Sequence, residues 1–113
     1  MFNERRSITI FPIKVLYAFA PLSTNVSLQA TVSVSSRNFK KAVDRNRIKR
    51  QLREGYRLQK TTLALQLKGL NQQLALFFIY TGKELPAYED LHEKMGTLLA
   101  RLQAIVIANQ LTN

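Results

Sequence analysis

Residues 42–60 read AVDRNRIKRQLREGYRLQK, and they combine dense positive charge with an apolar residue at every fourth position. Ile48, Leu52 and Tyr56 are four residues apart, and this spacing places them on one side of an α-helix. Polar and basic residues occupy a neighbouring arc: Arg45, Lys49, Arg53 and Arg57, with Asn46 and Arg50 beside them. The pattern therefore predicts a helix that packs through one side and presents cations through the other.

The crowding of like charges on this helix has no benefit for folding. Like charges four residues apart destabilise a helix by a few tenths of a kcal/mol per pair, and a solubilising face would alternate signs. Residues 44–57 contain five arginines and one lysine. Because the planar guanidinium suits bidentate contact with phosphate, the composition favours a phosphate-binding face.

The positive charge of the chain is concentrated in this region. The 113 residues carry a formal net charge of +10. Residues 37–60 contain ten basic and two acidic side chains, a net of +8, whereas the remainder contains seven and five, a net of +2. Such a patch predicts a polyanionic partner, with nucleic acid as the first interpretation and an anionic membrane surface as the second.

The composition excludes several classes of chemistry. The sequence has no cysteine, which excludes disulfides, thiolate metal sites and cysteine nucleophiles and fits a reducing compartment. His92 is the only histidine, and we find neither a paired-carboxylate signature nor a glycine-rich phosphate loop. No apolar run approaches the ~18 residues of a membrane span. A membrane-surface helix is the weakest interpretation, because the apolar arc of residues 48–63 is narrow and is needed for the core. We therefore expect a binding protein without catalytic or metal-ligating residues of its own and without a membrane partner.

Three stretches have strand patterns. Residues 13–20 (IKVLYAFA) are rich in aromatic and branched residues, and residues 28–35 (LQATVSVS) alternate between apolar and polar. We expect these two strands to form an antiparallel hairpin. Residues 74–81 (LALFFIYT) are almost continuously apolar, which is typical of a strand covered on both faces.

Two stretches have helical patterns. The basic helix is expected to begin near Asp44, which would cap it, and to run to about Lys68 with a possible break near Gly55. A last helix is expected over residues 87–108. The order of elements predicts one α+β domain over residues 1–113, a small, mostly antiparallel sheet packed with helices, with a candidate βαβ crossover from 28–35 to 74–81.

Tyr17 and Phe19 share one face of the first predicted strand. Aromatic side chains that are exposed on a sheet stack single-stranded bases, whereas most aromatic residues of strands belong to the core. The alternation alone is compatible with both interpretations.

The segment RNRIKRQLRE at 45–54, preceded by VSVSSRNFKKAVD, resembles the signature of the bacterial ribonuclease P protein component. The resemblance extends over residues 7–105, because the flanking strands and the last helix also fit. The matching positions are Val34, Ser35, Ala42, Val43, Arg45, Asn46, Arg47, Lys49, Arg50, Arg53 and Glu54.

The resemblance implies a function and a fold. The chain would be the accessory protein subunit of an endoribonuclease whose catalytic RNA removes the 5′ leader of precursor tRNA with Mg²⁺. Its partners would be that RNA and precursor tRNA, with no obligate protein partner, in the cytoplasm. The implied fold is ribosomal-protein-S5-domain-2-like, with a left-handed βαβ crossover.

The resemblance also assigns residues. Carried over position by position, the RNA contacts fall on Lys40, Lys41, Arg45, Asn46, Arg47, Lys49, Arg50, Arg53 and Arg57. Tyr17 matches an aromatic residue of the cleft that takes the single-stranded leader, and Phe19 shares its strand face.

Two other interpretations of the basic helix stay open. A ribosomal or other structural RNA-binding protein would have the same composition. A DNA-binding module would use residues 44–60 as a recognition helix, but a helix-turn-helix needs a second helix just before it, and a strand and a loop are predicted there.

Overall fold

The computed structural model of the protein describes residues 6–19, 21 and 26–111. Within these residues the chain forms four strands and three helices. They are β1 (Arg6–Ile10), β2 (Ile13–Phe19), β3 (Leu28–Val34), α1 (Ala42–Gln59), α2 (Thr61–Gly69), β4 (Leu74–Tyr80) and α3 (Tyr88–Leu111). The predicted α+β class is confirmed, and residue 20, which we placed in the first strand, lies outside the described residues.

The sheet has the strand order β1-β2-β4-β3. β4 pairs antiparallel with β2 and parallel with β3, so that Leu76 lies between Tyr17 and Ala30. The predicted hairpin between the strands at 13–20 and 28–35 is therefore wrong, because β4 lies between them. Alternation reveals the two faces of a strand but not its partner, and the most apolar strand takes the protected interior position.

β1 was not predicted from the sequence. It forms a hairpin with β2 in which Ile10 pairs with Ile13, and the turn between them is Phe11–Pro12. Ile8 and Ile10 are half-buried while Thr9 is exposed, so the short segment RSITI does alternate. The pattern spans only five residues and precedes a proline, which is why it was missed.

The connection from β3 to β4 contains two helices and joins parallel strands, which confirms the βαβ crossover. Its left-handedness stays a prediction. The break between the helices is at Lys60, not near Gly55. Gly55 lies inside α1 where the helix meets α3, and a Cβ there would be 3.6 Å from the Met95 side chain.

The ends of the helices differ in part from expectation. α1 begins after Lys41, which has extended backbone and makes no side-chain capping bond, so Asp44 lies in the first turn and is not the cap. α2 ends at Gly69, and Asn71 adopts a positive φ of 56° that turns the chain towards β4. α3 starts one residue later than predicted and continues three residues further.

The hydrophobic core lies between the helices and one face of the sheet. Ile48 and Leu52 of α1 are fully buried there, in the same core cluster as the sheet residue Phe78. Full burial of one such aliphatic side chain contributes roughly 1.5–3 kcal/mol, which outweighs the charge repulsion along α1. The predicted apolar stripe of α3 is also confirmed: Leu91, Met95, Leu98, Leu99, Leu102 and Val106 are buried, and Ile105 is partly buried.

The opposite face of the sheet is open. Leu16, Thr31 and Phe77 lie side by side on it in neighbouring strands, around a shallow concavity of about 390 Å³. Phe77 keeps 36% of its surface exposed. The expectation that the 74–81 strand is covered on both faces is therefore wrong, since the helices of the described part cover only one.

Candidate nucleic-acid interface

Helix α1 divides its surface as its sequence predicts. Ile48 and Leu52 are fully buried, and Gly55 is buried on the same side. The opposite side is exposed and carries the cations. The exposed polar residues of α1 that were assigned to RNA are Asn46, Arg47, Arg50, Arg53 and Arg57. Packing thus holds the exposed face in a fixed orientation.

Four residues of α1 form a shallow basic groove, which we call the arginine groove: Val43, Asn46, Arg50 and Arg53. Its volume is about 470 Å³, and none of the described residues that line it is acidic. Within the described ranges, neither Arg50 nor Arg53 makes a hydrogen bond or an ion pair. Two guanidiniums one helical turn apart are therefore available to an anionic ligand.

Arg57 is already paired. Its guanidinium donates two hydrogen bonds to the Glu54 carboxylate, at 3.0 and 2.8 Å. The hydrogen bond from Arg57 holds the pKa of the Glu54 carboxyl below its usual range. The pair is exposed, so water screens it and a phosphate can compete for Arg57. Arg57 therefore offers less free positive charge than Arg50 or Arg53.

Arg45 stabilises the loop that precedes α1 through hydrogen bonds. One of its guanidinium nitrogens donates to the carbonyl oxygens of Phe39 and Lys40, at 2.7 and 2.9 Å. Phe39 is itself anchored in the core, with its ring 5.9 Å from that of Tyr80. Arg45 thus fixes the position of the loop and is half-buried.

Lys40 and Lys41 are exposed where α1 begins. Unpaired backbone N–H groups and the helix dipole make this end of a helix attractive to anions. The two lysines are therefore next to a second place where a phosphate can bind. Lys49 is half-buried, between the exposed and buried arcs of α1.

Two basic residues at the ends of the charged segment received no predicted role. Arg37 is exposed in the loop, and Lys60 extends over the Tyr56 ring with its Nζ 5.5 Å from the centroid. Their charge was visible in the sequence, but the contact of Lys60 with Tyr56 depends on the break between α1 and α2.

Tyr17 and Phe19 lie on the helix-covered face of the sheet. Tyr17 is only 9% exposed and belongs to the core cluster, and Phe19 is partly buried against it. Their assignment to a leader cleft stays a prediction. The aromatic residue on the open face is Phe77, which the sequence did not single out because its strand was expected to be buried on both sides.

Comparison with known proteins agrees with this geometry. The family model described as Ribonuclease P matches residues 1–103. The chain belongs to the ribonuclease P protein family. It is 30% identical over 113 residues to the ribonuclease P protein component of Porphyromonas gingivalis, covering 100% of this chain and 82% of that one. It is 31% identical over 88 residues to the component of Chlorobium phaeobacteroides, covering 72% and 60%.

A solved structure supports the fold of this family member. The ribonuclease P protein of Staphylococcus aureus superposes with a TM-score of 0.51 at 20% identity, over 90% of this chain and 81% of that one. At this identity the similarity bears on the fold alone. It agrees with an α+β domain built on a mixed four-stranded sheet.

The described residues do not fit a metal site. No three histidine, cysteine, aspartate or glutamate side chains among them come together in a group that could hold a metal ion. Mg²⁺ prefers carboxylate and phosphate oxygens in octahedral geometry. That Mg²⁺ acts with the RNA holoenzyme stays a prediction. None of the helices in the described part has the length and apolar character of a membrane span.

Proposed function

We propose that this chain binds the catalytic RNA of ribonuclease P through the exposed face of α1 and the loop before it. As a member of its family, the chain is the protein component of an endoribonuclease of tRNA 5′ processing in which the RNA catalyses. The observation that carries the proposal is the arginine groove, because its unpaired guanidiniums are held on a helix whose other side is in the core.

The fixed orientation of the groove favours a folded RNA as its ligand. A flexible basic tail adapts to any polyanion, whereas rigidly spaced cations bind best to phosphates that are themselves fixed in space. Arg50 and Arg53 are about 4.5 Å apart along the helix axis, so they can contact one phosphate or two adjacent ones. Lys40 and Lys41 extend the same surface past the start of α1.

Precursor tRNA is the second partner in this proposal. The open face of the sheet, with Phe77 exposed beside Leu16 and Thr31, has the size and the aromatic surface to stack an unpaired base of the 5′ leader. Tyr17 also lines this concavity, although it is only 9% exposed, and Phe19 shares its strand face. Mg²⁺ is held by the RNA, and the complex works in the cytoplasm without an obligate protein partner.

A reconstitution assay tests the proposal. Precursor tRNA is incubated with the protein, with the catalytic RNA of the same organism, or with both, over a series of Mg²⁺ concentrations. We expect no cleavage by the protein alone and cleavage by the mixture at a Mg²⁺ concentration too low for the RNA alone. Cleavage by the protein alone, or a mixture no better than RNA, would contradict the proposal.

A second assay separates this function from the structural alternative. The tagged protein is purified from cells and the bound RNA is sequenced. Enrichment of the catalytic RNA of ribonuclease P supports the proposal, whereas enrichment of ribosomal RNA supports a ribosomal role.

A further inference from the structure

The turn between β1 and β2 exposes an aromatic side chain that the proposed function does not use. Phe11 is 67% exposed, although an exposed phenylalanine has no polar group that benefits from water. It lies with Pro12 at the edge of a concavity of about 320 Å³. The other wall is the segment Tyr80–Glu84 that follows β4, and it includes the exposed Lys83.

Hydrogen bonds give this concavity a defined shape. The Thr81 backbone N–H donates to the Pro12 carbonyl at 2.8 Å, and the Thr81 hydroxyl lies 3.1 Å from the same oxygen. The Tyr80 hydroxyl donates to the Glu84 carbonyl at 2.6 Å. A Cβ at Gly82 would come within 2.6 Å of the Tyr80 hydroxyl, so a larger residue does not fit that turn. The two walls are therefore connected and ordered.

The concavity adjoins the basic loop. The Asn38 side-chain amide lies 3.4 Å from the Gly82 carbonyl as a donor, and Phe39 packs against Tyr80. Lys40 and Lys41 follow directly in the sequence and lead into α1. Asn38 and Phe39 thus connect the wall of the concavity to the loop that leads into α1.

We propose that Phe11 and Lys83 form a binding site for one unpaired nucleotide, whose base stacks on the Phe11 ring while Lys83 pairs with its phosphate. This inference rests on the proposed function, since the strand must first be held by α1. An apolar ring beside an exposed cation matches a nucleotide, which has both an aromatic surface and a negative charge. Among the described lining residues Glu84 is the one acid, and because it repels phosphate, the phosphate lies on the Lys83 side.

The chain has no tryptophan, and this permits a direct test. The Phe11→Trp variant carries a single tryptophan, whose fluorescence an adjacent stacked base quenches. The matched control is Leu65→Trp on α2. Leu65 is 63% exposed and lies near Val26 and Leu28, at the end of the sheet opposite Phe11. We expect the catalytic RNA to quench Phe11→Trp strongly and Leu65→Trp weakly or not at all.

Binding measurements complete the test. Phe11→Ala should weaken binding to the catalytic RNA by roughly 5- to 50-fold without changing the salt dependence, because a stacking contact is lost and no phosphate contact. Lys83→Ala should lower the slope of log K against log salt by about one. Circular dichroism and urea unfolding serve to show that each variant is folded, as expected for exposed positions.

Two results overturn the inference. If Phe11→Ala binds like the wild type, or if Leu65→Trp is quenched as much as Phe11→Trp, no base stacks at Phe11. The proposed function survives either result, provided that the wild-type protein binds the RNA with a steep salt dependence. Absence of RNA binding by the wild type would contradict both.

Discussion

Helices α1 and α3 pack against each other and build the same core, yet their exposed faces differ. At their contact Gly55 faces Met95, and the Gln59 amide donates to the His92 carbonyl at 2.9 Å. Both helices bury an apolar stripe. α1 carries six basic and two acidic residues, a net of +4, whereas α3 carries two basic and three acidic residues, a net of −1. Folding explains both stripes but not the charge of α1.

The first turns of the two helices show the same difference. α3 begins with Glu89 and Asp90, which interact favourably with the positive end of the helix dipole. α1 has Asp44 there, but Lys40 and Lys41 precede it and add to the positive potential. The charges of α3 thus support its own stability, whereas those of α1 create a place for an external anion.

The largest expected effect concerns the buried apolar stripe that both helices have. Leu52→Ala in α1 and Leu98→Ala in α3 should each lower the free energy of unfolding by about 2–5 kcal/mol, because both side chains are fully buried. Urea unfolding at neutral pH measures this change. Leu58→Ala is the control, since Leu58 is 52% exposed, and it should change stability by less than about 0.5 kcal/mol. If Leu52→Ala left the free energy of unfolding unchanged, α1 would not be held in the core through Leu52.

The next effect concerns the charge of the exposed faces, in which the two helices differ. Reversing two charges in the arginine groove, Arg50→Glu with Arg53→Glu, should weaken binding to the catalytic RNA by roughly 100-fold or more at about 0.15 M salt. The matched change in α3, Lys94→Glu with Arg101→Glu, should cost at most about threefold, because only the long-range field changes. Equal losses from the two double variants would mean that net charge, and not the groove, determines binding.

Within α1 itself, Arg45 and Arg47 should behave differently. Arg45→Ala removes both hydrogen bonds to the loop carbonyls and should lower the free energy of unfolding by about 1–2 kcal/mol. Arg47→Ala, at an exposed position, should leave stability nearly unchanged and lower the salt slope of RNA binding by about one. Thermal unfolding and salt titrations distinguish the two variants. If both had the same stability, Arg45 would not stabilise the loop before α1.

The smallest effect is at the contact between the two helices. Gly55→Ala should raise the free energy of unfolding by about 0.5–1 kcal/mol, because alanine favours the helix and its Cβ meets Met95 at an ordinary contact distance. Gly55→Leu should instead destabilise the protein by about 1–3 kcal/mol through overpacking. Stabilisation by the leucine variant would mean that α1 and α3 are not closely packed.

Sequence reasoning succeeded where periodicity determines the structure. The four-residue spacing correctly predicted that Ile48 and Leu52 are buried and that α1 exposes a cationic side. Tyr56 of the predicted stripe and Arg45 and Lys49 of the predicted cationic row are half-buried. Periodicity succeeded again for the stripe of α3. Residues on one face of a helix are three or four positions apart in the sequence, so the buried and exposed faces can be predicted from the sequence of the helix alone.

Sequence reasoning failed where the structure depends on distant partners. The strands at 13–20 and 28–35 are adjacent in sequence, but β4 separates them, and no local pattern encodes that choice. Gly55 was interpreted as a break, although its small size serves the contact with α3. The alternation of the first strand was compatible with an exposed or a buried Tyr17, and the burial of this residue depends on where the helices lie. The hydrogen bonds of Arg45 to the loop carbonyls and of Arg57 to Glu54 likewise depend on geometry that the sequence does not reveal.

The salt dependence of RNA binding tests the central claim most directly. The dissociation constant for the catalytic RNA is measured over a range of salt concentrations for the wild type and for Arg50→Ala with Arg53→Ala. If the arginine groove holds phosphates, the wild type has a steep slope and the double variant loses about two units of it. A slope that is the same in both proteins would contradict the account.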